Sequence, residues 1–117
     1  MMKQFDLEDR TLDFSKSVIR LINHLSKNQT NLTLGAQVVR SGTSVGANYR
    51  EASAALGNKD FVMKIKICRK EAMETTYWLK LLMENNSNFK IDLEKLIDES
   101  EQLTRIFSSI ALKRAGS

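Results

Sequence analysis

The sequence predicts an all-α protein, an antiparallel up-down-up-down four-helix bundle with a left-handed twist. Its 117 residues include no proline and only five glycines, so few residues in the chain interrupt helices. Four segments carry apolar residues at helical spacing, in unbroken alternating steps of three and four in the first and third, which places those residues along one face of a helix. Short polar stretches separate the segments, and short connections favour antiparallel neighbours. We therefore expect one domain over residues 1–117, with helices at about 6–26, 32–56, 59–85 and 92–113.

The first helix has a clear start and a continuous apolar seam. Asp6 is the expected N-cap, and Asp9 follows at the third helical position. The seam consists of Leu7, Thr11, Phe14, Val18, Leu21 and Leu25. A polar turn follows this helix, and we expect Thr30 or Asn31 to cap the second helix.

The second helix carries its polar residues along one edge. This polar stripe falls within an arc of about 80° at 100° per residue, and it consists of Gln37, Arg40, Ser44, Asn48 and Glu51. Beside it lies an apolar arc made of Leu34, Val38, Val45, Tyr49, Ala52 and Leu56. The remaining side is small, with Ala36, Gly42, Gly46, Ala47, Ser53 and Ala54. We expect this helix to be buried on more than one side, with the glycines allowing another helix to approach closely.

The third and fourth helices are read from the same periodicity. Gly57-Asn58 marks the end of the second helix and a cap for the third, and Asn85 to Asn88 interrupts the pattern again. The third seam consists of Phe61, Ile65, Cys68, Ala72, Thr75, Leu79 and Leu82. On the fourth helix, the residues expected to face the core are Leu93, Leu96, Ile97, Leu103, Phe107 and Ile110.

The polar stripe admits two interpretations. It could line a ligand or nucleic-acid site, or it could form a hydrogen-bonded network that sets helix register or a subunit contact. Arg40 and Glu51 lie about three turns apart and cannot pair along their own helix, so each needs a partner elsewhere. Since an unpaired buried polar group costs about 1–3 kcal/mol, we favour the network. Its expected members on the third helix are Glu71 and Glu74, as partners of Arg40, with Trp78 at the same flank.

A second candidate site is the basic face of the third helix. It spans an arc of about 100° that includes Tyr77, and it consists of Lys59, Lys66, Arg69, Lys70 and Lys80. Phosphate contacts from such a face would give salt-sensitive binding with little sequence preference. The alternative is an ordinary solvated helix face. The formal net charge of +4 and the pI near 9.3 permit an acidic partner without requiring one.

The residues that enzymes and metal sites use are scarce. Cys68 is the single cysteine, so no intrachain disulfide can form, and its seam position predicts a buried thiol. His24 is the single histidine and lacks the paired Glu-x-x-His motifs of a di-iron bundle. We therefore expect no catalytic residue, metal or cofactor. Without an N-terminal apolar region or an apolar run of about 20 residues, we expect a cytoplasmic protein with no membrane partner.

The motif Gln37-x-x-Arg40-x-x-x-Ser44-x-x-x-Asn48-x-x-Glu51 resembles the central motif of a bacterial family. These are small four-helix-bundle proteins first noticed as reading frames inside ribosomal-RNA intervening sequences. Three further stretches resemble the same family: the opening 5–14, Lys59-Asp60-Phe61-Val62, and 64–79 of the third helix. The resemblance covers about residues 5–82.

This resemblance implies a cytosolic bacterial protein that assembles into a ring-like homo-oligomer, usually a pentamer. The family is also similar to the accessory protein of diversity-generating retroelements, a basic pentamer that binds a reverse transcriptase and nucleic acid. Two functions follow as expectations. One is a nucleic-acid-binding or ribonucleoprotein adaptor for RNA or DNA, with a reverse transcriptase or other protein as partner. The other is a protein-only scaffold that binds a partner enzyme without nucleic acid.

Overall fold

A computed structural model describes residues 6–116, where the chain forms four α-helices and one 3-10 turn. The helices are α1 (Leu7–His24), α2 (Gln29–Ser53), α3 (Asn58–Glu84) and α4 (Lys90–Ala115), and the turn is Ser87–Phe89. Consecutive helices pack antiparallel. The contacts of α3 with α2 and α4 are extensive, whereas α1 packs on α2 and touches α4 at few positions. The predicted all-α four-helix bundle is confirmed, and the hand of its twist stays a prediction.

Residues 1–5 lie outside the described residues. They include Phe5, the first residue of the stretch 5–14 that resembles the family. The N-terminal residues on which the expectation of no apolar leader rests also lie mostly within them. No helix between residues 6 and 116 combines the length and the apolar character needed to cross a membrane.

Side-chain caps start α1 and α2, whereas the N-cap residues of α3 and α4 make no capping hydrogen bond through a side chain. Asp6 Oδ1 accepts a hydrogen bond from the backbone N–H of Asp9 at 3.1 Å, as predicted for α1. The cap of α2 is Asn28, whose Oδ1 accepts from the backbone N–H of Asn31 at 2.9 Å. The prediction of Thr30 or Asn31 as cap was therefore wrong, and α2 begins three residues before its predicted start. The Asn31 side chain is buried and bonds to distant groups instead.

The connection from α2 to α3 also begins earlier than predicted. The helix ends at Ser53, and Leu56 is fully exposed in the connection, so its place in the apolar arc was wrong. The chain reverses direction over residues 54–57, and Gly57 is the N-cap residue of α3. Asn58, expected as a cap, is the first residue of α3, and its side-chain amide donates to the carbonyl oxygen of Arg114 at 2.9 Å.

The predicted seams meet in one hydrophobic core. Every seam residue of α1 is buried, and so is the α3 seam except Phe61, which lies half-buried beneath the Arg114 guanidinium. Of the residues expected to face inward on α4, only Ile110 remains half-buried. The largest side chains with almost no exposure are Phe107, Ile65, Leu79, Leu82, Leu93 and Leu103. Periodicity alone therefore located most of the core.

Glycines form the contact between α1 and α2. A Cβ atom at Gly42 would lie 3.2 Å from Val18 Cγ2, and one at Gly46 would lie 3.2 Å from Thr11 Oγ1. Both contacts are tighter than ordinary packing, which confirms the predicted close approach of another helix. The small side of α2 as a whole is not covered, because Ala36, Ala47, Ser53 and Ala54 are exposed. In a single chain, α2 is therefore buried towards the core and α1 but open on its third side.

Candidate functional site

The upper part of the polar stripe pairs with α3. Arg40 Nε donates to Gln37 Oε1 at 3.0 Å, and Nη1 reaches Glu71 Oε1 at 3.4 Å. Its Nη2 donates to the carboxylate of Glu74. Trp78 Nε1 donates to the same carboxylate at 3.1 Å, which adds the indole to the group. We call these five residues the Arg40 network. The structure thus places Arg40 against both acids that the sequence named as candidates.

The lower part of the stripe is different. Ser44 Oγ donates to the Arg40 carbonyl oxygen at 2.7 Å, and Asn48 Nδ2 donates to the Ser44 carbonyl oxygen at 2.9 Å. These two side chains therefore bond within their own helix. Glu51 crosses to α3, where Lys64 Nζ lies 2.8 Å from its Oε1, and this hydrogen bond raises the pKa of Lys64. The stripe therefore forms ion pairs with α3 at both of its ends, through Arg40 and Glu51. Ser44 and Asn48 between them form hydrogen bonds within α2.

Exposure distinguishes the acids from their cationic partner. The Glu71 side chain retains 12% of its accessible surface, whereas Arg40 retains 47% and Glu74 32%. The guanidinium thus covers Glu71 while remaining at the surface itself. Within the part of the chain described by the structure, no buried side-chain nitrogen or oxygen lacks a hydrogen-bond partner. The buried polar atoms of the stripe therefore find their hydrogen-bond partners within a single chain.

The basic face lies on the outer side of α3. Lys59, Lys66, Lys70 and Lys80 are exposed, and Arg69 is half-buried. Two of these cations have acidic neighbours: Lys70 Nζ lies 3.9 Å from Glu71 Oε2, and Lys80 Nζ lies 3.6 Å from Glu101 Oε2. Among residues 6–116, the other three make no ion pair. Met63, Met73 and Tyr77 are exposed on the same helix, so the face is both basic and apolar.

Sequence reasoning missed a clamp between α1 and α4. The Arg10 guanidinium binds Glu99 through two hydrogen bonds of 2.7 and 2.9 Å, and it donates to Gln102 Oε1 at 3.0 Å. The hydrogen bond to Glu99 raises the pKa of Arg10. Opposite charges beside the apolar seams of the first and last helices were a usable signal, because these helices become neighbours when a four-helix bundle closes.

A second missed feature is a buried amide pair near one end of the bundle. Asn31 Nδ2 donates to Asn86 Oδ1 at 3.0 Å, and Asn86 Nδ2 donates to Asn31 Oδ1 at 2.9 Å. The same amide groups also donate to the carbonyl oxygens of Ser26 and Leu82. This pair joins the first turn of α2 to the α3–α4 connection, and the bond to Ser26 adds the α1–α2 connection. Short-range patterns could not reveal it, since both residues have strong local uses in caps and turns.

The two residues weighed for chemistry have other environments. Cys68 is buried, its thiol lies 3.5 Å from the Val45 carbonyl oxygen, and burial raises its pKa to about 12. His24 is exposed, with Nδ1 2.7 Å from the Arg20 carbonyl oxygen. Between residues 6 and 116, no three His, Cys, Asp or Glu side chains are grouped so that they could hold a metal ion.

Fold and site together define a small four-helix bundle whose second helix pairs its polar stripe with the third. Residues 3–109 match the family model described as 23S rRNA-intervening sequence protein, and the chain belongs to this family. The match extends through most of α4, beyond the motif resemblance that ended near Leu82.

A solved structure supports the same assignment. The chain is similar to a protein of unknown function from the S23 ribosomal protein family of Bacteroides thetaiotaomicron VPI-5482, whose crystal structure was determined at 1.70 Å. The two are 36% identical, and the comparison covers 89% of this chain and 96% of the other, with a TM-score of 0.81. No significant match was found among curated proteins.

Proposed function

We propose that this protein is a non-enzymatic, homo-oligomeric bundle, a pentamer by family resemblance, that acts as a nucleic-acid-binding or ribonucleoprotein adaptor. The observation that carries the proposal is the exposed basic face of α3. Lys59, Lys66 and Arg69 make no ion pair with the described part of the chain, so their charge is available to phosphates. In a ring, several copies of one modest patch would bind a single nucleic acid with higher avidity.

The remaining two cations also support this role. Lys70 and Lys80 retain 69% and 57% of their side-chain surface, and each has one acidic neighbour, at 3.9 and 3.6 Å. Ion pairs of such exposed lysines contribute about 0–1 kcal/mol, and Glu71 keeps its bond from Arg40, so a phosphate can replace the carboxylate at little cost. The five cations therefore form one surface that an extended polyanion can follow along the helix.

The environments of the reactive side chains support a role without catalysis. The Cys68 thiol is buried with a raised pKa, which disfavours the nucleophilic thiolate. The Glu71 and Glu74 carboxylates are held by Arg40, and Glu74 also accepts from the indole of Trp78. Acids engaged in this way serve structure better than proton transfer.

The subunit contact is proposed at the open side of α2 and the adjoining flank of α3. Ala36 and Ala47 are exposed there, and side chains this small let a second helix approach closely. Light scattering coupled to size exclusion, with the 260/280 nm absorbance ratio recorded at low and high salt, tests both halves of the proposal. We expect a ring-sized mass that carries nucleic acid at low salt and loses it at high salt. A monomer would contradict the assembly.

A charge-neutralised variant tests the basic face directly. Changing Lys59, Lys66 and Arg69 together to Gln should weaken binding of a fluorescent single-stranded RNA. The slope of log affinity against log salt should become shallower by about 2, since each lost phosphate contact contributes about 0.7. The matched control neutralises Lys90, Lys95 and Arg105, three exposed cations of α4. Equal slopes for the two variants would contradict a dedicated nucleic-acid face.

One observation favours the second candidate, a protein-only scaffold. Met63 and Met73 are each 55% exposed on the same face of α3, and exposed methionines suit an adaptable protein contact. Co-purification of a stoichiometric protein with no nucleic acid would favour this function over the adaptor.

A further inference from the structure

Tyr77 is an exposed aromatic residue of the basic face and lies about one turn before Lys80, its last cation. It retains 58% of its accessible surface. Its ring packs against Trp78 in an edge-to-face arrangement, with centroids 5.0 Å apart and planes at 66°. An exposed ring that makes a defined aromatic contact is a more rigid surface than a solvated side chain. Rigidity of this kind lowers the entropy lost when a ligand binds to it.

The Arg40 network holds that aromatic contact in place. Trp78 is half-buried against the core, and its Nε1 donates to Glu74 Oε2 at 3.1 Å. Glu74 in turn is held by Arg40 from α2. A line of contacts therefore runs from α2 through a carboxylate and an indole to the outward-facing phenol. This line connects the two features that the sequence had presented separately, the polar stripe and the basic face.

Cations flank Tyr77 along the helix axis. With a rise of 1.5 Å per residue, Lys70 lies about 10 Å before Tyr77 and Lys80 about 5 Å beyond it. Both are exposed, and Met73 lies one turn before the tyrosine on the same side. A polyanion that follows the axis would thus meet positive charge on either side of an aromatic ring. Basic grooves interrupted by aromatic rings are how single-stranded nucleic acids are commonly held.

We infer that Tyr77 is a stacking platform for an unpaired base, and that this face takes single-stranded nucleic acid with Lys70 and Lys80 at the flanking phosphates. The inference rests on the proposed nucleic-acid function and makes its substrate class specific. A duplex would satisfy the lysines but not the tyrosine, because its bases are already stacked on one another. Preference for single strands is therefore the property that separates the stacking role from a general electrostatic one.

The experiment compares Tyr77→Ala with Tyr77→Phe, which keeps the ring. Binding is measured by fluorescence anisotropy on an oligouridine of about 16 nucleotides, the upper end of common site sizes, and on a blunt-ended RNA duplex of two complementary strands. We expect Tyr77→Ala to weaken oligouridine binding about tenfold and to change duplex binding far less. Tyr77→Phe should stay within about twofold. Ile91→Ala, which shortens another exposed side chain on α4, is the control.

Intrinsic fluorescence gives an independent readout, since Trp78 is the only tryptophan and it touches Tyr77. Oligouridine should quench its emission in the wild type and less in Tyr77→Ala. Three results would overturn the inference. Unchanged oligouridine affinity in Tyr77→Ala, with loss in the basic-face variant, would leave the proposed function intact and remove the stacking role. A lower oligomer mass for Tyr77→Ala would make Tyr77 a subunit contact. No binding of either RNA by the wild type would reject the proposed function as well.

Discussion

The Arg40 network on the surface and the Asn31–Asn86 pair in the interior both join parts of the bundle through polar groups. They differ in burial. Arg40 retains 47% of its side-chain surface, whereas Asn31 and Asn86 each retain 4% of their whole-residue surface. Water competes for an exposed ion pair and limits its contribution to about 0–1 kcal/mol. A buried amide that loses its partner keeps the full desolvation cost, about 1–3 kcal/mol. The conspicuous charged motif is therefore the less important of the two for stability.

The comparison also separates two kinds of role. A surface network can be altered without unfolding the protein, so its effect on assembly or binding can be measured. A buried pair between two connections sets the end of the bundle and can hardly be altered without loss of structure. The following changes test this distinction, from the largest expected effect to the smallest.

Asn86→Ala should have the largest effect. It removes both bonds to Asn31 and the bond to the Leu82 carbonyl oxygen, and it leaves a buried amide without its partner. We expect a loss of about 2–3 kcal/mol in the free energy of unfolding by urea denaturation. Asn88→Ala, in the same turn but exposed, is the control. A loss below about 0.5 kcal/mol, typical of surface substitutions, would show that the amide pair does not have the importance argued from its burial.

Arg10→Met should have an intermediate effect, because the Arg10 clamp is only partly buried. The variant keeps much of the apolar stem and removes the hydrogen bonds to Glu99 and Gln102. We expect a loss of about 1–2 kcal/mol, reduced from the range for fully buried charged bonds by solvent. Arg20→Met on the exposed side of α1 is the control, and equal losses would contradict a clamp between α1 and α4.

Cys68 offers a test by pH, since it lies buried beneath the α2–α3 edge. Its pKa is about 12 in the folded protein against an ordinary value of 9.0, so the folded state keeps the proton while the unfolded state releases it. The contribution of Cys68 to the free energy of unfolding is therefore fully present below about pH 9. Between about pH 9 and pH 12 the free energy of unfolding falls by about 1.4 kcal/mol per pH unit. Urea midpoints at about pH 8 and about pH 10 measure this. Cys68→Ala should lose less stability than the wild type between these two pH values. An equal loss in both proteins would contradict the raised pKa of Cys68.

Arg40→Gln should have the smallest effect on stability, below about 1 kcal/mol, because Arg40 itself retains 47% of its side-chain surface and water competes for its ion pairs. Its effect on assembly is the informative quantity. If the Arg40 network belongs to the proposed subunit contact, the mass from light scattering should fall on dilution at concentrations where the wild type stays assembled. Unchanged mass with unchanged stability would limit the network to holding Trp78.

Much of the fold could be predicted because helical periodicity is a local property. The seams of α1 and α3 follow from spacing alone, and Cys68 was placed in the core from its seam position. Part of the candidate site followed in the same way: when two neighbouring helices run antiparallel, a polar stripe on one selects the polar flank of the other. Arg40 with Glu71 and Glu74 is the result. The predicted start of α2 was wrong because capping residues compete with tertiary uses, as Asn31 illustrates. Its predicted end was wrong because the chain reverses direction after Ser53.

Sequence by itself therefore determined the number of helices, the faces that they bury and the acids that Arg40 meets. Tertiary structure alone decided that Asn31 meets Asn86 across 55 positions and that Arg10 meets Glu99 across 89. It also placed Trp78 in contact with both Glu74 and Tyr77. The physical reason is that periodicity specifies which direction a side chain faces on its helix. The axial registry between helices that are distant in the chain depends on packing of the whole core, including the glycine contact of α1 with α2.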